Sequence, residues 1–158
     1  MSLLSQMIDA FKSTAFKESL YKALEGHGCT LEKDKLLKAT GNFKADLYIE
    51  TEDVIYLVKT VEKFHIEPLS ESLVEELGAA KKKLASGGYK HVVPVVIIGQ
   101  NPLSHPFLEG VYRNQVLMIQ GAVEECAAQL EFVLQHQVVP SYQMSPRIGD
   151  GEVRFYGI

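Results

Sequence analysis

The fold class that this 158-residue chain predicts is a mixed α/β sandwich with one central sheet. Three observations predict it. Phe16, Leu20, Ala23 and Leu24 recur at helical spacing near the start. Residues 45–60, ADLYIETEDVIYLVKT, read as two short strands around a polar turn. A helical pattern ending at Ser86-Gly87-Gly88 then runs directly into HVVPVVIIG over 91–99, the order of a β-α-β unit with a buried strand.

In chain order, Leu4, Met7, Ile8 and Phe11 fall on one helical face. The stripe resumes after Ser13-Thr14 and stops at Gly26 and Gly28, which predicts helix over 2–27 with a break near 13. Residues 29–40 carry a weak strand signal followed by a loop closed by Gly41-Asn42. Leu47 and Ile49 alternate with Asp46, Tyr48 and Glu50 as in a half-buried strand, and Thr51-Glu52-Asp53 makes the turn. Val54–Val58 is continuously apolar, as in a strand nearer the centre of a sheet.

Pro68 and Ser70 announce a second helix, Ser72 with Glu75 offers a capping box, and Leu73, Leu77, Ala80 and Leu84 give its buried face. Lys81, Lys82 and Lys83 lie towards its C-terminus, where cations suit the helix dipole. Pro94 points to a strand end or bulge within 91–99. A loop over 100–106, a short helix to about 113, a strand over Val116–Ile119 and an amphipathic helix over 122–136 complete a domain of residues 1–136. The extension 137–158, with two short β-like pieces around Ile148-Gly149-Asp150-Gly151, is expected to pack on that domain or on a partner.

Composition narrows the class. The chain is 46% hydrophobic and 23% charged, an ordinary globular balance. No apolar run approaches the roughly 20 residues of a membrane span. The opening MSLLSQMIDAF lacks a basic region and keeps Asp9, so no signal peptide is expected and a cytoplasmic setting is. Cys29 and Cys126 match no zinc or redox spacing and read as two reduced core thiols. The net charge of −4 is the wrong global sign for avid DNA binding, yet residues 1–44 hold seven lysines against five acids. His27, His65, His91, His105 and His136 show no ligand spacing, Ser86-Gly87-Gly88 lacks the Gly-Lys-Ser/Thr of a P-loop, and Ser104-His105 lacks a nucleophile elbow.

The order and residues over roughly 14–134 resemble the Mrr-like branch of the restriction-endonuclease-like, PD-(D/E)XK, superfamily. FKESLYKALEGHG (16–28) has the shape of that family's first helix, Asp46 followed by Leu57-Val58-Lys59 that of its core hairpin, and GAAKKKLASGGYKHVVPVVIIG (78–99) that of its following helix and strand. NQVLMIQGAVEECAAQLEFVL (114–134) is similar to its closing strand and helix. The resemblance implies a restriction-endonuclease-like three-layer sandwich with a central mixed sheet and flanking helices. It also implies a site in which the hairpin aspartate and a following Gln/Glu hold Mg²⁺ and the lysine orients water, with a glutamate of the first helix assisting.

Phosphodiester hydrolysis at neutral pH needs a divalent ion to polarise the phosphoryl oxygen and activate water, and Mg²⁺ wants an octahedral set of oxygens. Carried over residue by residue, Asp46 and Lys59 survive as a remnant pair, and Asp46 is the expected metal ligand if the site is active. Leu57 stands where the Gln/Glu would be, and Lys17 where the helix acid would be, with Glu18 next to it. Glu50 is about 13 Å along the strand from Asp46, too far for one ion. Asp46 and Lys59 equally fit a cross-strand ion pair at a sheet edge.

The expectation is therefore a non-catalytic or weakly active module, needing no cofactor (Mg²⁺ if active), that binds nucleic acid through Lys17, Lys81, Lys82 and Lys83 or binds a protein partner through the C-terminal extension. The alternatives are an active Mg²⁺-dependent endonuclease with a migrated carboxylate, and an assembly module with no nucleic-acid role. DNA, a protein partner and a homodimer are the partners in view, and a membrane is not.

Overall fold

A computed structural model describes residues 17–25, 29–61, 71–86, 88, 90–98, 103–144 and 153–156. The parts of the expected first helix over 2–16, the helix start at Pro68 and Ser70, and the glycine turn at 148–151 lie outside them.

Leu20 and Leu24, four apart and fully or almost fully buried, hold helix α1 (17–24) on the sheet. Strand β1 (Thr30–Leu37) follows, then one 3₁₀ turn (Lys38–Thr40) and strand β2 (Phe43–Glu50). Gly41 and Asn42, with φ of 76° and 71°, close that connection. The buried Thr40 hydroxyl supports it by donating to the Leu37 carbonyl (2.7 Å) and accepting from the Phe43 N–H (3.3 Å). Next come β3 (Val54–Val61), α2 (Glu71–Ala85), β4 (His91–Ile98), α3 (His105–Arg113), β5 (Leu117–Gln120) and α4 (Val123–His136). Ser104 caps α3, its hydroxyl accepting from the Phe107 N–H at 3.2 Å. Strands β6 (Ser141–Met144) and β7 (Val153–Tyr156) pair only with each other.

The main sheet is five-stranded in the order β1-β2-β3-β4-β5. The β1–β2 and β2–β3 pairs are antiparallel and the β3–β4 and β4–β5 pairs parallel, so the sheet is mixed and open. One core, with Tyr56, Val58, Val95, Ile97, Leu117, Cys126 and Leu130, lies under α1 and α4. The other, with Leu57, Val74, Leu77, Val96, Phe107 and Val111, lies under α2 and α3. Helices therefore cover both faces, and the chain is a three-layer α/β domain.

Several local readings change. The weak signal at 29–40 becomes an eight-residue edge strand, because its mostly exposed side chains leave little hydrophobic pattern to detect. Ser72 lies inside α2 rather than capping it, and the buried stripe is Val74, Leu77, Gly78 and Ala80. Pro94 sits within β4 instead of ending it. β5 pairs with β4 only from Val95 onward, so at Pro94 one side of the strand has no ladder to satisfy.

The main irregularity is in the β1–β2 ribbon. Phe43, Ala45, Leu47 and Ile49 share one parity, which on a regular strand means one face. Here Phe43 and Ala45 enter the α2/α3 core, while Leu47 and Ile49 enter the α1/α4 core. The exchange falls at Asp34 and Asp46, which drop out of the ladder between Lys33↔Leu47 and Lys35↔Ala45, with Asp34 at φ 52°. The ribbon turns over without losing register, and its tip folds onto α2.

Candidate functional site

β3, β4 and β5 end at Val61, Ile98 and Gln120, and α3 and α4 begin on the same side. Ligands of open α/β sheets bind outside these carboxyl ends. Asp46, Lys59 and Thr60 stand at this end, where β2 and β3 part: the last paired residues are Leu47↔Val58, and the register continued by one step sets Asp46 across from Lys59. The expected alignment of Asp46 with Leu57 and Val58 is thus off by one to two residues, since Leu57 faces Tyr48.

Being across from each other does not join the pair. Asp46 Oδ2 accepts from the Thr60 N–H at 2.8 Å and from the Thr60 hydroxyl at 3.1 Å. Lys59 points to the other face, its Nζ 5.6 Å from the centroid of the buried Phe43 ring. Neither the nuclease geometry nor the simple ion pair forms. Asp46 acts as a clip, replacing the ladder bond that the diverging strands no longer make.

Leu57 is 0% exposed and packs in the α2/α3 core. The position expected to offer a second metal oxygen is therefore a fully apolar one. Glu18 is held by Lys33 at 2.7 Å, and Lys17 is held by Asp34 at 2.7 Å, so neither turns to Asp46. The Lys17 hydrogen bond keeps the Asp34 carboxyl below the usual carboxylate range. Glu50 takes hydrogen bonds from the Tyr48 hydroxyl (2.5 Å) and Lys90 (3.0 Å), which hold its carboxyl low as well.

Among the described residues no group of three or more His, Cys, Asp or Glu side chains is arranged to hold a metal ion. One carboxylate already engaged through Oδ2 does not fit Mg²⁺, which takes one or two carboxylates with waters in an octahedral shell. No chemical step through a metal follows from these residues.

Positive charge is distributed unevenly. Lys17, Lys33, Lys35, Lys44 and Lys90 each meet a carboxylate, and Arg113 meets Glu71 and Glu75. Lys38, Lys82 and Lys83 are exposed, Lys81 is half-buried, and none of the four has an acidic partner among the described residues. They gather where the ribbon tip meets α2: Lys83 Nζ lies 3.3 Å from where a Cβ on Gly41 would stand. Burial, followed by the neighbouring Lys82, lowers the Lys81 pKa. Lys17, grouped by sequence with these lysines, is separated from them by its partner. Lys38 was not singled out, because only the fold of the ribbon brings it to α2.

No family model matches the chain, and no curated protein matches it. A crystal structure of a protein of unknown function, AF1548, is similar in fold, with TM-score 0.55 and 10% identity over 79% of this chain and 68% of that one. At that identity the likeness concerns the fold alone.

Proposed function

We propose that this chain is a restriction-endonuclease-like module of the Mrr-like type that lacks efficient metal-dependent cleavage and binds nucleic acid. The observation that carries the loss of cleavage is Leu57, fully buried where the second metal oxygen would stand. Two further observations support the reading. Asp46 and Lys59 keep their places at the carboxyl end of the sheet but turn to different partners. The lysines at the ribbon tip and on α2 supply uncompensated positive charge, which attracts a phosphate backbone whatever the global sum.

The test is cleavage of plasmid and branched DNA in Mg²⁺ and Mn²⁺, with Asp46→Ala as control. No cleavage above background is expected. Cleavage that disappears in Asp46→Ala would overturn the reading in favour of an active endonuclease. Binding is tested by titration across salt: each lysine contacting phosphate adds about 0.9 to the slope of log K against log[salt]. Lys81, Lys82 and Lys83 replaced together by Ala should flatten that slope. No binding at low salt would leave the protein-assembly reading, which the open edge of β5 favours.

A further inference from the structure

β5 is the last strand of the sheet, and its outer side pairs with no other strand. Natural edge strands are usually protected by charge, proline or a covering element. Leu117-Met118-Ile119-Gln120 has neither charge nor proline. A hollow of about 290 Å³ opens beside it, lined by Leu117, Met118 and Ile119 from the strand and by Ala128, Phe132 and Val133 from α4. Leu117 and Ile119 belong to the α1/α4 core while Met118 packs on the opposite one. A hollow touching all three therefore wraps the edge of the strand rather than lying beneath it. At its mouth Phe132 is 47% exposed and stacks on His136 with ring centroids 4.3 Å apart.

We propose that this edge is the contact between two copies of the chain, with β5 pairing antiparallel to β5 of the second copy. The Gln120 carbonyl already accepts from the Gln129 side chain at 3.3 Å, so the free edge centres on Met118. A two-fold axis there sets Met118 against the partner's Met118 and uses the same groups on both sides, as closed dimers do. The axis also keeps both α4 helices on one face of a continuous sheet and closes the two hollows against each other. Charge on α4 agrees with this arrangement. Glu124 and Glu125 stand exposed in its first turn, near the end of β5, and the two-fold brings them towards the Phe132–His136 mouth of the other copy. Within one chain neither these acids nor His136 has an ion-pair partner among the described residues. The ladder is short, so the pairing is weak and depends on concentration.

Sedimentation equilibrium of the full chain from about 1 µM to about 1 mM, the span of weak protein pairing, tests it. The mass should rise from 17.6 kDa towards twice that value. Phe132→Glu, at an exposed position, should weaken the association at least tenfold with unchanged circular dichroism, and Lys82→Ala should leave it alone. Amide exchange supplies a measurement without variants: protection at Met118 and Ile119 should grow with concentration while that of β1 stays constant. A chain that stays monomeric throughout, or a dimer indifferent to Phe132→Glu with no added protection in β5, would overturn the proposal. DNA binding is read separately in dilute protein, so either idea can fail alone.

Discussion

Asp46 shows how one side chain can be legible in type and misread in role. Its place near a hairpin end is evident from the sequence, but its partner, Thr60, was not considered. Parity puts Lys59, not Thr60, across from it, and only the parting of the strands lets a carboxylate take the Thr60 N–H. Removing it leaves a part-buried donor unpaired. Asp46→Ala should therefore cost about 1–3 kcal/mol in urea denaturation, and Asp46→Asn, whose amide oxygen still accepts, distinctly less. Leu57 supplies the opposite case. Leu57→Ala should cost about 2–5 kcal/mol as a buried cavity. Leu57→Glu, the change that would restore the family's pattern, puts a carboxylate into the α2/α3 core and should abolish stable folding rather than create cleavage. A folded Leu57→Glu protein that cuts DNA in Mg²⁺ would show that the neighbouring groups can complete a site.

At the level of elements, the helices and central strands were readable because each buries one face and repeats at its own period. What periodicity could not convey is how closely α2 and α3 approach. Gly78 of α2 lies against Asn114, the C-cap residue of α3, and a Cβ at Gly78 would come 2.9 Å from the Asn114 Cβ. Gly110 of α3 meets Val74 in the same way. Ala is the better helix former by up to about 1 kcal/mol, yet Gly78→Ala should destabilise by about 1–3 kcal/mol because the crossing must open. Thermal unfolding checks the sign, and a stabilised variant would mean that Asn114 swings aside easily. Tyr56 ties the end of α4 to the sheet by donating to the Val138 carbonyl at 3.1 Å. Tyr56→Phe should cost about 0.5–1.5 kcal/mol and speed amide exchange after Gln137.

For the whole molecule, the shifted groups bound the pH range of stability. Asp34 and Glu50 titrate lower in the fold, so their contribution is present above the usual 3.8 and 4.5 and is lost as pH falls through the lower folded values. Burial raises Cys126 from 9.0 to about 11 and Tyr56 from 10.0 to about 12. Their contribution is complete below pH 9.0 and is lost as pH rises towards those values. Urea midpoints should therefore be level between these limits and fall on both sides. Tyr56→Phe should make the alkaline fall shallower, and an unchanged alkaline limb would show that the Tyr56 hydroxyl is not what titrates.

The order of elements, the central place of Val54–Val58 and the apolar substitution at Leu57 were determined by the sequence alone, because burial, period and residue type are written locally. Three things were decided only by the tertiary structure: the turnover of the β1–β2 ribbon at Asp34 and Asp46, the separation of Asp46 from Lys59, and the meeting of Lys38 with Lys82 and Lys83. Each depends on twist and on the distance between segments remote in the chain. A strand's parity says which residues share a face only while the strand stays regular, and at Asp46 it does not.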